Sequence, residues 1–201
     1  MIIISYATKN TPYEKVLNER LLPTLKKFNL RYDIAYPEDF GSWQANTHIK
    51  AEIIKQMLLK HKEPIVFLDA DATIECYPEL FFKLQDYDMS YHSFDFDFYW
   101  KNKEGSSKRE VLSGTLYFRY NEKVLQFIDE WIEENKKSTQ WEQKNLQIVV
   151  ERWKGKLKIY PLPLEYIAIV KGGDRVPNFI KNPVIVHHQA SRRFRHYRRK
   201  K

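Results

Sequence analysis

The chain has 201 residues, of which 43% are hydrophobic, and a formal net charge of +8. That length is typical of a single domain, and no apolar stretch approaches the roughly 20 residues needed to cross a membrane. The single cysteine, Cys76, excludes an internal disulfide framework and a multi-cysteine zinc site.

Strand and helix signals alternate along the chain, which predicts an α/β architecture. Short apolar runs predict strands at residues 2–6, 30–36, 65–68, 88–91, 111–120, 157–160 and 184–187. Apolar residues at helical spacing, several of them behind Thr or Asn caps, predict helices over residues 12–28, 48–63, 78–84, 122–132 and 140–153. Residues 94–100 are aromatic and acidic, and we expect them to be irregular.

The most informative stretch is residues 65–71, where four apolar residues of a predicted buried strand run into Asp69-Ala70-Asp71. Ligands of open α/β sheets bind at the carboxyl ends of the strands. Two carboxylates separated by one small residue can converge there on a divalent cation, and hard cations such as Mg²⁺ or Mn²⁺ hold phosphates. The pattern therefore predicts a metal-dependent site for a phosphorylated substrate.

Two enzyme classes share this local pattern. Residues 67–73 match the first motif of haloacid-dehalogenase-type phosphatases, in which Asp69 would be the nucleophile and Asp71 the general acid/base. They equally match the Asp-x-Asp turn of nucleotide-sugar glycosyltransferases. The phosphatase motif usually lies on the first strand, whereas here two strand-helix units precede it, and its later acidic motif is imitated only by residues 172–174. The surroundings therefore favour the transferase.

Several segments, taken in order, resemble the GT-A fold nucleotide-diphospho-sugar transferases, in particular the glycogenin and lipopolysaccharide-galactosyltransferase-like family. These segments are residues 6–8, 68–71, 113–118, 142–143 and 184–187. The resemblance implies a single GT-A (Rossmann-like) domain over residues 1–194, with a mixed, mostly parallel central sheet flanked by helices. Residues 195–201 would form a basic C-terminal tail.

The resemblance also implies a donor site for a nucleoside-diphosphate sugar, with UDP as the expected nucleotide, and for Mn²⁺ or Mg²⁺. The metal ligands would be Asp69, Asp71 and His187. The donor-binding residues would be Tyr6, Ala7, Thr8, Lys50, Asp69, Ala70, Asp71, Ser113, Gly114, Arg192 and Arg193. Arg193 stands where the family has a lysine that grips phosphate, and Arg192 is expected to add donors to the same oxygens.

Four residues are candidates for the chemistry at the sugar and the acceptor: Glu142, Gln143, Asp95 and Asp97. If the reaction inverts the anomeric centre, one carboxylate must deprotonate the acceptor, and Glu142 is the first candidate. If the reaction retains the configuration, as the resembling family implies, no strong base is needed and Gln143 would line the face of the sugar. The residues themselves leave both outcomes open.

The expected partners are the nucleotide-sugar donor and a glycan or glycoprotein acceptor. Residues 192–201 contain seven Lys or Arg and no acid, and the remainder is almost neutral, with 27 basic and 26 acidic residues. A nucleic-acid-binding face spread over the domain is therefore not expected. The tail is a candidate for peripheral contact with an anionic membrane, and a non-catalytic module acting through this tail is the remaining alternative. No basic leader precedes the first predicted strand, so we expect a cytoplasmic location.

Overall fold

The computed structural model describes residues 1–101, 109–172 and 174–194. Its strands are β1 (Ile2–Tyr6), β2 (Tyr32–Ala35), β3 (Ile65–Leu68), β4 (Ala72–Ile74), β5 (Met89–Tyr91), β6 (Ser93–Asp95), β7 (Arg109–Val111), β8 (Thr115–Phe118), β9 (Ile159–Pro161), β10 (Ala168–Ile169) and β11 (Ile185–His187). Its α-helices are α1 (Pro12–Glu19), α2 (Leu21–Lys27), α3 (Trp43–His48), α4 (Lys50–His61), α5 (Phe96–Lys101), α6 (Glu122–Lys137), α7 (Glu142–Arg152) and α8 (Ala190–Phe194). The predicted tail at 195–201 and Gly173 lie outside the described residues.

The central sheet has the strand order β2-β1-β3-β8-β5-β9. β1 pairs in parallel with β2 and β3, and β5 pairs in parallel with β9. β8 runs antiparallel to both of its neighbours, β3 and β5. The parallel pairs around β1 arise because helices connect β1 to β2 and β2 to β3, as parallel strands require. The predicted α/β fold with a mixed, mostly parallel central sheet is confirmed.

Both faces of the central sheet are buried, which explains why its strands are continuous apolar runs. In β3, Ile65 and Phe67 pack in a cluster with α4, α6 and α7. Val66 and Leu68 point to the opposite face and pack in a cluster with α1 and α2. No helix in the described part of the chain is long and apolar enough to cross a bilayer.

A smaller sheet, with the order β10-β11-β4, brings the C-terminal part of the chain back to the end of β3. β4 begins directly after Asp71, and β11 pairs with it in antiparallel fashion, with His187 opposite Ala72. This register carries His187 to the turn that contains the two aspartates. β6 and β7 form a separate antiparallel pair beside this region.

Two predicted helices differ from those observed. The helix expected over residues 12–28 is broken at Arg20 into α1 and α2. Pro23 explains the break, because its ring clashes with the carbonyl four residues earlier, at Glu19, and it has no N–H to donate there. The helix expected to start at Thr47 is preceded by α3, whose cap is Ser42. Thr47 is not a cap, since its hydroxyl donates to the carbonyl of Gln44 inside α3.

The aromatic stretch and two element boundaries also differ from the predictions. Residues 94–100, expected to be irregular, continue β6 and form α5. The strand expected over residues 111–120 is interrupted between β7 and β8, at residues 112–114. α7 begins at Glu142 behind Trp141, so the cap predicted at Thr139 is wrong. The interruption before β8 matters for function, because it places Ser113 and Gly114 beside the aspartates.

Candidate active site

The turn after β3 presents both aspartates at the carboxyl end of the central sheet. The Asp69 N–H donates to the Gly114 carbonyl at 2.9 Å, which extends the pairing of β3 with β8 by one residue. The Ala72 N–H donates back to the Asp69 carbonyl at 3.0 Å and closes the turn. The Asp69 side chain is 38% exposed and that of Asp71 only 13% exposed. The two carboxylates therefore occupy neighbouring but unequal environments.

His187 completes a group of three metal-ligating side chains. One ligand atom from each of Asp69, Asp71 and His187 lies within 4.8 Å of the other two. His187 Nδ1 is 3.7 Å from Asp71 Oδ1, and its Nε2 is 2.8 Å from the Thr115 hydroxyl oxygen. When Nε2 carries the proton and donates to Thr115, Nδ1 keeps a lone pair that faces the carboxylates. Two carboxylates and an imidazole form a donor set that suits a divalent cation such as Mn²⁺.

Gly114 leaves the space that these side chains occupy. A Cβ atom at this position would lie 2.8 Å from His187 Cε1 and 3.1 Å from Asp69 Oδ2. Such contacts are too short for any residue with a side chain, so the backbone of β8 can approach the cluster only at a glycine. The backbone at Gly114 thus lies directly against the side chains of His187 and Asp69.

Asp71 is held in its ionised form by His187 at the end of β11 and by the segment that follows. Burial alone would raise the pKa of Asp71, but His187, the Ala190 N–H and His188 together hold that pKa below its usual value. The Ala190 N–H donates to Asp71 Oδ2 at 2.6 Å. Gln189 adopts a left-handed backbone conformation, with φ of 54°, and this turn aims the Ala190 N–H at the carboxylate.

A buried ion-pair network lies behind Asp69. Lys50 Nζ is 2.9 Å from Asp69 Oδ1 and 2.7 Å from Glu142 Oε1. The Ser113 hydroxyl also donates to Glu142 Oε1, at 2.9 Å. Burial would lower the pKa of Lys50, but the two carboxylates hold that pKa well above its usual value. Burial raises the pKa of Glu142 even though Lys50 and Ser113 oppose the shift. Lys50 is therefore a fixed positive charge behind Asp69.

The metal-ligating cluster opens into a cleft of about 230 Å³. Its polar lining is Asp69, Asp71, Gln143, His187, Gln189, Ser191 and Arg192. Its other lining residues are Phe94, Phe96, Trp100, Leu112, Gly114, Ile167 and Ile169. The cleft thus joins a charged end, suited to a metal and phosphates, to an aromatic and aliphatic wall.

The predicted nucleoside-binding residues of β1 lie close to this network but outside the cleft lining. The Tyr6 ring packs on Phe67, with the ring centroids 6.1 Å apart, and its hydroxyl donates to the Asn46 carbonyl. Burial raises the pKa of Tyr6, so its hydroxyl stays protonated. Ala7 and Thr8 are buried, and the Thr8 hydroxyl contacts that of Thr11 at 3.1 Å.

Of the four residues predicted for chemistry, only Gln143 lies in the described lining of the cleft. Glu142 is sequestered by Lys50 and Ser113. Asp95 and Asp97, the other two candidates, are not part of this lining. Asp95 accepts the Phe98 N–H at the start of α5 and lines a neighbouring pocket, and Asp97 pairs with Lys101 on the same helix.

The two candidate arginines differ in their position relative to the cleft. Both arginines are exposed, but Arg192 lines the cleft and Arg193 is not part of the described lining. Both lie on the short helix α8, where consecutive side chains point in different directions. The phosphate-binding role that the resemblance assigned to Arg193 therefore fits Arg192 better by position.

Some site residues were not predicted from the sequence. They are Thr115, Gln189 and Ser191, for which the sequence alone indicates no role. Thr115 lies beside the turn because it pairs with Leu68 at the end of β3, and this pairing is seen only in the structure. Three aromatic side chains of residues 94–100 also line the cleft, those of Phe94, Phe96 and Trp100.

The phosphatase interpretation finds little support in the geometry. Its second acidic motif would need Asp174 to face the Asp69 site. Instead, Asp174 Oδ1 is 3.0 Å from His188 Nδ1, and Asp174 Oδ2 is 2.9 Å from Arg20. Both contacts hold the pKa of Asp174 below its usual value. Asp174 is used in a local ion pair and does not line the cleft.

Comparison with solved structures supports the fold assignment. A glycosyltransferase involved in the glycosylation of the major capsid of PBCV-1 aligns with a TM-score of 0.69 and 18% identity, over 96% of each chain. The galactosyltransferase LgtC in complex with donor and acceptor sugar analogues aligns with a TM-score of 0.54 and 10% identity, over 94% of this chain and 87% of LgtC. The bifunctional glycosyltransferase WbbM aligns with a TM-score of 0.60 and 12% identity, over 94% of this chain and 45% of WbbM. At these identities the likeness shows a shared GT-A fold.

Sequence comparison identifies the family. No curated protein sequence matches the chain. The profile of the nucleotide-diphospho-sugar transferases matches residues 25–196, which is most of the chain and includes Asp69, Asp71 and His187. The chain therefore belongs to the nucleotide-diphospho-sugar transferase family and is a glycosyltransferase.

Proposed function

We propose that the chain is a metal-dependent enzyme that transfers a sugar from a UDP-sugar to a hydroxyl group of a glycan or protein acceptor. The observation that supports this most directly is the convergence of Asp69, Asp71 and His187 on one cleft, with Gly114 leaving room for them. We take residues 1–194 as the catalytic domain, because the sheets that build this cleft come from both ends of that range.

In this proposal, Asp69, Asp71 and His187 hold Mn²⁺ or Mg²⁺, which when bound supplies positive charge to the oxygens of the departing diphosphate. Thr115 fixes the orientation of the His187 ring. Lys50 partly balances the charge of Asp69. Arg192, which lines the same cleft, donates to phosphate oxygens, since a guanidinium can bind two oxygens at once.

We also propose that the reaction retains the anomeric configuration. The carboxylates in the described lining of the cleft are those of Asp69 and Asp71, which are assigned to the metal. Glu142, the first candidate for a base, already binds Lys50 and Ser113. Gln143 instead presents an amide, held between the Ser113 N–H and Glu110, that can line the face of the sugar. Proton NMR of the first-formed product, with an α-linked donor, tests this: a β product would overturn it.

The function is tested by incubating the protein with UDP-glucose or UDP-galactose and measuring release of UDP. We expect release that requires Mn²⁺ and is lost with EDTA. Asp71→Asn should lower the rate by at least about 100-fold, because one charged ligand is lost. Asp86→Asn is the matched control, since Asp86 is exposed and makes no ion pair among the described residues. Failure of every UDP-sugar to be bound or cleaved would overturn the proposal.

A further inference from the structure

The Arg192 side chain reaches the cleft without a carboxylate to hold it. Its backbone N–H donates to the Gln189 carbonyl at 3.0 Å. Across residues 1–101, 109–172 and 174–194, its guanidinium makes no ion pair or hydrogen bond, although it lines the same cleft as Asp69 and Asp71. A free arginine side chain loses considerable rotamer entropy when a ligand fixes it. A residue that restricts it beforehand would therefore strengthen binding.

Trp100 makes the contact that restricts Arg192. The guanidinium carbon of Arg192 lies 5.2 Å from the centre of the Trp100 ring, which is within the range of a cation–π interaction. Both residues line the cleft, so the guanidinium is held at the cleft wall with its N–H groups unused. A tryptophan face is the strongest aromatic partner for such a cation.

The Trp100 ring is itself fixed by the small sheet. It packs edge-to-face on Tyr99, with ring centroids 5.1 Å apart and an interplanar angle of 71°. Tyr99 is buried, and its hydroxyl bonds to both the N–H and the carbonyl of Ile169 in β10. Ile169 is the register partner of His187 in β11. Packing thus connects the orientation of Trp100 to the strand that carries a metal-ligand candidate.

We propose that Trp100 is a positioning residue that holds the Arg192 guanidinium ready to bind the diphosphate of the donor. This inference rests on the proposed function, because it assigns the anion at that end of the cleft as a nucleoside diphosphate. The guanidinium presents a planar fork that matches two phosphate oxygens. Trp100 strengthens donor binding because it reduces the entropy that the Arg192 side chain loses when it binds the diphosphate. Trp100 itself does not contact the diphosphate.

The test is a double-mutant cycle on the affinity for UDP in the presence of Mn²⁺, measured by calorimetry. Arg192→Met should weaken UDP binding roughly 10- to 100-fold, as expected for a charge-assisted hydrogen bond. Trp100→Leu should weaken it roughly 2- to 5-fold, and Trp100→Phe should restore most of this loss because it keeps an aromatic face. Trp100→Leu should have no effect when Arg192 is already methionine.

Trp141→Leu provides a matched control. Trp141 is an exposed tryptophan outside the cleft lining, and Lys144 lies 5.9 Å from its ring centre. Removal of this second cation–π contact should leave the UDP affinity unchanged. A readout without ligand is the NMR resonance of the Arg192 Nε–H, which should lose its ring-current shift in Trp100→Leu and keep it in Trp141→Leu.

Additive losses from Trp100→Leu and Arg192→Met would overturn the inference, as would unchanged UDP affinity in Trp100→Leu. A rise in the KM for acceptor alone would also overturn it and would assign Trp100 to the acceptor. If wild-type protein binds UDP and the cycle is additive, only the positioning role fails. If wild-type protein binds no UDP in the presence of Mn²⁺, the proposed function fails with it.

Discussion

Each candidate metal ligand depends on a neighbouring residue that is not itself a ligand. Thr115 binds the far nitrogen of His187, the Ala190 N–H binds Asp71, and Lys50 binds Asp69. These contacts orient the imidazole and the carboxylates before any metal arrives. Residues in such supporting positions commonly change metal affinity almost as strongly as the ligands do.

The Thr115 hydroxyl gives a direct test of this support. Thr115→Val keeps the shape of the side chain but leaves His187 Nε2 without its partner. We expect the affinity for Mn²⁺, measured by calorimetry in the presence of UDP, to fall about 10- to 100-fold. Thr115→Ser keeps the hydroxyl and should bind Mn²⁺ nearly as well as wild type. Equal affinity in the Val and Ser variants would show that the hydrogen bond has no such role.

The buried pair of Lys50 and Glu142 gives a stability prediction. Lys50→Met leaves the Glu142 carboxylate buried without its cation, and removal of one partner of a buried pair costs about 3–5 kcal/mol of unfolding free energy. The double variant Lys50→Met/Glu142→Gln should recover part of this loss, because glutamine is neutral. Urea denaturation at pH 7 measures both variants.

Lys60→Met on the same helix is the control for that experiment. Lys60 pairs with Asp33 at the surface and is 61% exposed, so we expect its loss to change the unfolding free energy by less than about 1 kcal/mol. If Lys50→Met is no more destabilising than Lys60→Met, the buried network does not carry the stability that its geometry indicates.

Some of the candidate site could be predicted from residue chemistry, and some could not. Asp69, Asp71 and His187 each follow or end an apolar run, and their side chains are those that bind divalent metals, so the sequence was sufficient to select them. The buried ion pair between Lys50 and Glu142 could not be predicted from the sequence, because it depends on how deeply α4 and α7 pack on the sheet. Which of Arg192 and Arg193 lines the cleft likewise depends on the rotation of the five-residue helix α8 about its axis.

At the level of elements, strand register decides which side chains meet. The antiparallel pairing of β4 with β11 places His187 opposite Ala72, and a shift by one residue would turn His187 to the other face of the small sheet. Short apolar runs made the strands of the central sheet predictable. The helix break at Arg20 was not predicted, because Pro23 lies inside a regular helical pattern of apolar residues. The strand break at residues 112–114 was not predicted, because it follows from the tertiary packing of β7 and β8.

A pH dependence is expected where β2 meets the end of α4. Asp33 Oδ2 lies 2.6 Å from Lys60 Nζ and 2.7 Å from His61 Nε2. Burial alone would raise the pKa of Asp33, but these two partners hold that pKa below its usual value. A carboxyl whose pKa is lowered on folding stabilises the protein above its unfolded pKa of about 3.9, and this contribution is lost as the pH falls through the folded value.

Asp33→Asn removes the titrating group and tests this link. Wild type should be more stable than Asp33→Asn at pH 6, and the difference should shrink as the pH falls from about 5 to 3. Urea denaturation at low ionic strength measures the difference at each pH. Since the pair is partly exposed, the difference should also shrink in high salt. A difference that is constant with pH would show that Asp33 does not contribute through its charge.

In the whole molecule, the cleft lies where three parts of the fold meet. The central sheet supplies the aspartates, the small sheet supplies His187, and α5 with α8 supplies Trp100 and Arg192. Residues distant in sequence thus form one end of the cleft. A ligand that contacts all of them binds the folded protein and not the unfolded chain, in which they are far apart. Binding energy at this site should therefore appear as stability of the whole domain.

Thermal unfolding tests this coupling without any knowledge of the acceptor. When UDP is added at about 100 times its dissociation constant to protein already saturated with Mn²⁺, the free energy of unfolding should rise further by about 2.7 kcal/mol, and Tm by roughly 5–10 °C. UDP without Mn²⁺ should give a much smaller shift, because no metal ion would then lie between the phosphate oxygens and the carboxylates of Asp69 and Asp71. In Asp71→Asn, Mn²⁺ should no longer enlarge the Tm shift that UDP causes, and the shift with UDP alone should be the same as in wild type. An equal shift for UDP with and without Mn²⁺ would place the nucleotide away from Asp69, Asp71 and His187.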